Sequence, residues 1–302
     1  MISNRICASI FLSAAIALVW ACADGVRVGT VIGQQTGQIS ARDGQMLQQL
    51  AEQTEKAVRP MTDQEENYLG RAVAATILNQ YRIYQNEPLT RYLNQVGQTV
   101  ALSSERPLVF GGYHFAILDT GEINALSCPG GIVFLTRGML SKIRNEEELA
   151  AVLAHEVAHV NHRDGAAAIQ KSRWMEVVAS LGTAAAGKLT GAETAKLLSL
   201  FQGSVNDVAK TLLVNGYGRD QEAAADQEAL SFLSRAGYDP RALPDFLQTL
   251  EKEKSVQRGG GVLATHPGIP DRLAKIAAIL SQNRWPTVNH SVRDARFQRE
   301  MK

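Results

Sequence analysis

Residues 146–164 read EEELAAVLAHEVAHVNHRD, and within them stands His155-Glu156-Val157-Ala158-His159. Residues four apart on a helix lie one above the other on the same face, so both imidazoles can reach one metal ion. Glu156 follows the first histidine directly, where its carboxylate can meet water at the metal without binding the ion. Two neutral nitrogens on zinc and a neighbouring carboxylate base suit hydrolysis. Leu149, Val152, Leu153 and Val157 are apolar and would bury the helix and dry the site. The chain has only six histidines, which makes this spacing an unlikely product of composition.

A catalytic zinc takes three protein ligands and keeps a fourth position open. One arrangement draws the third ligand from the same segment and needs glycine at 162 and histidine at 165. The chain has His162 and Gly165, which excludes it, and His162 reads as a polar residue closing the helix. The other arrangement takes a glutamate from a later helix, and GYGRDQEAAADQEALSFL (from Gly216) offers Glu222. His155, His159 and Glu222 are therefore the expected ligands of one Zn2+ per chain. Asp226, one turn after Glu222, would accept a hydrogen bond from the far nitrogen of a ligand histidine. The alanines between them let two helices approach closely.

A tetrahedral oxyanion needs a stabiliser besides the metal. His266, Arg272 and Tyr217 are the candidates, with Tyr217 read mainly as a packing residue. His266 stands in GGGVLATHPGIPDR, between mobile-backbone glycines and a restricting proline. It is expected to act as a catalytic group, as a latch on the open metal position, or only as a structural turn leading into the next helix.

These residues need elements to hold them. Asn145 with Glu148 three residues on resembles a capping box opening the motif helix. Residues 62–103 show helical spacing in two pieces, the first capped by Thr62. YHFAILD (Tyr113–Asp119), EINALSC (Glu122–Cys128) and GIVFLT (Gly131–Thr136) read as three short strands. Residues 173–214 give two apolar helical stretches. Asp220 opens a helix ending at Gly237, Asp239-Pro240 opens the next, and Pro270 to Arg284 forms the last. Arg258–Gly261 is a loop. The fold class is α+β and mainly α-helical, with one catalytic domain over 61–285 and a loose charged tail over 286–302.

The chain of 302 residues is 45% hydrophobic and 20% charged, in the range of a globular protein. A net charge of +1 gives no footprint for nucleic acid. Residues 1–22 begin with a basic start, continue as ICASIFLSAAIALVWA and end at Cys22. This is the layout of a secretory signal peptide, and Val19-Trp20-Ala21-Cys22 resembles a bacterial lipobox with Cys22 as the lipidated residue. Residues 23–60 read as a linker leading into a helix. Location is thus expected to be the periplasm, membrane-anchored by lipid at Cys22. Ala23 after Cys22 favours the outer membrane. Trp174–Gly187 is too short for a membrane span and reads as a core helix.

NALSCPGGIVFLTRGML, EELAAVLAHEVAHV, GRDQEAAAD and THPGIPDR, in this order over roughly 60–284, resemble metallopeptidase family 48. These are the HtpX-like zinc endopeptidases, and the likeness is strongest to their soluble periplasmic lipoprotein branch. The resemblance implies a zincin-like (gluzincin) fold, with helices around a small sheet and the zinc helix beneath it. It implies that Gly131, Ile132, Val133 and Phe134 belong to an edge strand that lines the cleft and pairs with a protein or peptide substrate. It implies an endopeptidase with Glu156 as general base, in quality control of misfolded envelope proteins. The alternative is a protease-fold chaperone or assembly scaffold with little proteolysis. Ser127, Cys128 and Asp164 depart from the family's common residues, and all three read as lying outside the metal set.

Overall fold

The computed structural model describes residues 61–169, 191–254, 265–286 and 288–301. The leader with Cys22, the linker over 23–60, Trp174–Gly187 and the loop over 258–261 lie outside the described residues. The chain divides into two compact units, Met1–Met61 with Gln170–Gly203, and Thr62–Ile169 with Ser204–Lys302. Every site residue of interest in the described part belongs to the second.

Two helices, α1 (Asp63–Leu78) and α2 (Glu87–Ala101), come first. Thr62 caps α1 in a full capping box with Glu65, and Asn86 caps α2, its side chain accepting from the Leu89 amide. Three strands follow: β1 (His114–Leu118), β2 (Ala125–Cys128) and β3 (Ile132–Thr136). Next come α3 (Arg137–Leu140), the motif helix α4 (Glu146–His162) and the short α5 (Asp164–Ala167). After α6 (Gly191–Lys210) a π-helical turn covers Thr211–Asn215. Then come α7 (Arg219–Ala236), α8 (Ala242–Lys254), α9 (Ile269–Gln282) and α10 (Ser291–Glu300).

All three expected strands form, but their order is β1-β3-β2. β3 is central: parallel to β1 on one side and antiparallel to β2 on the other. The expectation that Gly131, Ile132, Val133 and Phe134 form an edge is therefore wrong. The cause is the Pro129-Gly130-Gly131 turn. Gly130 and Gly131 take φ of +74° and +101°, open to glycine, and fold β2 back onto β3. β2 becomes an edge strand, and it is β2 that packs on α4. The outer edge of β1 is covered differently. Asn94 on α2 accepts from the Phe115 amide at 3.1 Å and donates to its carbonyl at 2.6 Å, while Gln98 donates to the Tyr113 carbonyl at 2.6 Å.

The core surrounds α4, which packs against α7, α2, α8 and β2. The helix is buried nearly all round; Leu149, Ala150, Ala151, Leu153, Ala154, Val157 and Ala158 are fully buried. Ala225 and Ala229 line the contact from α7, while Ala224 points to solvent.

The tail expected to be loose is instead the helix α10. Phe297 inserts into the core. Arg293 Nη1 reaches Glu147 Oε1 at 2.5 Å, and Arg296 Nε reaches Glu146 Oε2 at 2.7 Å. Buried glutamates at the start of α4 thus recruit the charges that made this tail look solvated.

Candidate metal centre

Three elements deliver the site: α4 brings His155, Glu156 and His159, α7 brings Glu222 and Asp226, and the segment before α9 brings His266. Asn145 caps α4 as expected, its side chain accepting from the Glu148 amide at 2.8 Å. Glu148 completes the box one residue early, on the Arg144 amide at 2.8 Å. Three glutamates in the first turn favour the positive end of the helix dipole.

The ligand atoms of His155, His159, Glu222 and His266 lie within 4.8 Å of one another, and all four residues are buried. Glu222 Oε2 is 3.4 Å from His155 Nε2, and its Oε1 is 3.4 Å from His159 Nε2 and 2.9 Å from His266 Nδ1. The outer nitrogens fix what the inner ones can be. His155 Nδ1 lies 3.1 Å from Asp226 Oδ1, and His159 Nδ1 lies 2.7 Å from Asp164 Oδ2. Carboxylates accept, so these nitrogens are assigned the protons from the network; the His159 contact is a hydrogen bond, and the His155 contact is a close approach to Asp226 without hydrogen-bond geometry. The two Nε2 lone pairs then face each other at 3.1 Å, with His266 Nδ1 3.2 Å from His155 Nε2. Facing lone pairs repel unless a cation sits among them. This nitrogen-and-carboxylate donor set therefore fits a metal ion.

Burial opposes ionisation of Glu222, yet His266, His155 and His159 hold its carboxyl far below the usual range. Burial also opposes ionisation of Asp226, and Arg272, followed by His155, brings it down to about 2. Both carboxylates are acceptors at neutral pH.

Asp226 is where the sequence reading put it. Arg272 is not free to meet an oxyanion: Nε and Nη2 each reach an Asp226 oxygen at 2.7 Å, and Nη1 lies 2.7 Å from Glu222 Oε2. A buried guanidinium so placed fixes two carboxylates. Asp164, expected to stay outside the metal set, is in direct contact with His159. Its other oxygen accepts from Gln221 Nε2 at 2.9 Å. The signal was weak because the approach depends on Arg163, the one non-glycine residue with positive φ among those described, at φ 60° and ψ 32°. This left-handed residue ends α4 and turns Asp164 back beneath His159. His162 stays away from the cluster, its Nε2 joined to Glu228 on α7 at 2.9 Å.

Glu156 is buried beside the cluster, with Oε1 3.7 Å from His266 Nε2 and Oε2 without a hydrogen-bond partner. The Tyr217 ring stacks on His159, centroids 4.1 Å apart. Glu156, His266 and Tyr217 line one cavity together with Ala125, Leu126 and Ser127 of β2. Cys128 is buried, and burial pushes its thiol far up.

A cluster able to hold a metal ion on a His-Glu-x-x-His helix, with the Glu156 carboxylate at its side, has the make-up of the metal-dependent hydrolase class. The sequence pattern of peptidase family M48 matches residues 87–280, and the chain belongs to that family of metallopeptidases. It is 32% identical over 216 residues to the "Beta-barrel assembly-enhancing protease" of Escherichia coli (strain K12), covering 68% of this chain and 42% of that protein. The protein of the same name from Yersinia pestis is 32% identical over 184 residues, 61% of this chain and 37% of the relative. "Mitochondrial metalloendopeptidase OMA1" of Arabidopsis thaliana is 30% identical over 162 residues, 52% and 30% of the two chains. The chain thus spans about two fifths of the bacterial relatives it matches.

Proposed function

We propose that this chain is a zinc-dependent endopeptidase of the bacterial cell envelope with a gluzincin-type centre. The observation that carries the reading is the convergence of ring nitrogens whose outer partners, Asp226 and Asp164, leave their inner lone pairs facing one another beside the free Glu156 carboxylate. His155, His159 and Glu222 would hold the ion, with Asp226 and Asp164 orienting the rings and Arg272 fixing Asp226 and Glu222. Bound zinc supplies Lewis acidity, polarising a carbonyl and acidifying water. Glu156 takes the proton of the attacking water on Oε2 and passes it to the leaving amine. The apolar wall of α4 excludes bulk water and so strengthens each electrostatic contact.

The substrate would be an extended protein segment paired with β2, the edge strand that adjoins Glu156. His266 would hold the remaining metal position in the resting enzyme and withdraw when substrate enters. Its distances of 2.9 Å to Glu222 and 3.2 Å to His155 support the latch over a turn without a role in the site. The leader ending at Cys22 supports export and lipid anchoring, favouring the outer membrane. Relatives named for enhancing β-barrel assembly support substrates among envelope proteins, in quality control.

The test is metal content and casein cleavage. Glu222→Ala is expected to lose zinc, and Glu156→Gln to keep zinc and lose at least about a thousandfold in kcat/KM. Full zinc occupancy in Glu222→Ala would sink the ligand assignment. Metal bound without cleavage by the wild type or by His266→Ala would favour the scaffold reading.

A further inference from the structure

Of the groups able to meet a developing oxyanion, two are already engaged. Arg272 spends its three nitrogens on Asp226 and Glu222. His266 Nδ1 is drawn to Glu222 and His155. Tyr217 differs. Its side chain is buried, at 6% exposure, and its hydroxyl makes no hydrogen bond of normal geometry, with the Ser127 hydroxyl as a neighbour. Buried polar groups are normally paired, and an orphaned one carries its whole desolvation penalty.

The orphaned atoms also gather. Glu156 Oε2 and Ser127 Oγ are without partners too, and both residues line the same cavity as Tyr217. One carboxylate acceptor and hydroxyl donors are thus left unmatched around one space at the metal cluster. Fold stability gives no reason for such an arrangement, but a reacting peptide bond does. Its water needs an acceptor, and its carbonyl oxygen needs a donor as it gains charge.

The backbone holds the phenol there. Gly216 takes φ +71°, and a Cβ on it would lie 2.4 Å from the Thr265 carbonyl oxygen. Only glycine permits that approach. The Tyr217 amide then donates to the Thr265 carbonyl at 3.0 Å, and the ring lies against His159. The segment beside Tyr217 therefore ends in His266, whose withdrawal would open space next to the hydroxyl.

We propose that the Tyr217 hydroxyl donates the hydrogen bond that stabilises the oxyanion of the scissile peptide group, which makes Tyr217 a catalytic residue. This rests on the peptidase reading above. The water oxygen bonds to the carbonyl carbon, the carbonyl π pair moves onto oxygen, and Glu156 receives the water proton. Tyr217 donates a hydrogen bond to that oxygen and keeps its proton. On collapse the C–N bond breaks, and the proton on Glu156 goes to the amine nitrogen.

The test is Tyr217→Phe in the full chain, compared with wild type for zinc content, thermal midpoint, casein-peptide hydrolysis and inhibition by a peptide phosphinate. Phenylalanine keeps the stacked ring and removes only the orphaned hydroxyl. Zinc content is expected to stay the same and the midpoint to hold or rise. The expected fall in kcat is about a hundredfold with KM little changed, and phosphinate affinity should weaken in parallel. A kcat within twofold of wild type would overturn the proposal. A lowered midpoint with unchanged phosphinate affinity would overturn it too, by showing the hydroxyl to be structural. A wild type and a His266→Ala variant that both fail to cleave would overturn the peptidase reading itself, and this assignment with it.

Discussion

Replacing Arg296 with alanine tests how α10 supports the motif helix. Glu146 opens α4 and is fully buried. Its carboxylate accepts from Tyr92 Oη at 2.9 Å, from Tyr238 Oη at 3.1 Å and from two nitrogens of Arg296, with Nε at 2.7 Å. Arg296→Ala removes the only cation in that set and leaves a buried charge on two phenols. Breaking a fully buried pair costs about 3–5 kcal/mol. Here the arginine side chain is 40% exposed and the tyrosines remain, so solvent screening reduces the loss to about 2 kcal/mol. For a domain of this size that is a fall of roughly 4–8 °C in midpoint. The assay is thermal unfolding by circular dichroism at neutral pH, run as a cycle with Glu146→Gln and the double variant. Neutralising Glu146 removes the unpaired charge, so the double variant should regain at least about 1 kcal/mol relative to additivity. A single-variant shift under about 1 °C, or strict additivity, would refute the reasoning.

Asp164→Asn should weaken zinc affinity by about 10–100-fold with the fold intact, read by chelator competition, because His159 loses its carboxylate partner. Unchanged affinity would remove Asp164 from the centre. His162→Gln should show a pH-dependent stability gap. Contacts with Asp164 and then Glu228 raise the His162 pKa to about 9. A raised histidine pKa adds stability that is complete below about 6.5 and is lost as pH rises through 9. With solvent around the pair, the gap should be roughly 1 kcal/mol at pH 6 and closed by pH 10, and a gap that widens with pH contradicts the assignment. His266→Ala should raise basal casein cleavage or speed removal of zinc by chelators. Cys22→Ala should shift the protein out of the membrane fraction with altered processing of the leader.

The motif helix was legible because its information is local. The spacing of His155 and His159, the Asn145 cap and the apolar run all lie within one helix. Glu222 and Asp226 were expected beside the histidines from the need for a third ligand and from one-turn spacing on α7, and they lie there. Strand positions followed from alternation, but alternation gives the face of a residue and not its neighbour. The central place of β3 is set by the Gly130-Gly131 fold-back and by β1 arriving in parallel. Asp164 was missed because an arginine, not a glycine or asparagine, takes the left-handed position that delivers it. Arg272 reads as a candidate for the oxyanion because its two carboxylate partners lie 46 and 50 residues away in sequence, on α7. The helix over Ser291–Glu300 was missed for the same reason, since Glu146 and Glu147 lie far upstream.

For an enzyme of the proposed kind, the treatment of the two sheet edges bears on the danger of handling unfolded chains. An exposed strand edge recruits any extended polypeptide, including another copy of its own protein, and growth from both sides is how small sheets become aggregates. Asn94 and Gln98 occupy the hydrogen-bonding groups along the outer side of β1, so a visiting strand finds little to pair with there. The opposite side, at β2, borders Glu156. Under the peptidase reading proposed above, a chain that came to pair with the buried β2 would meet Glu156 there, and a stray strand would be handled as a client instead of as a seed.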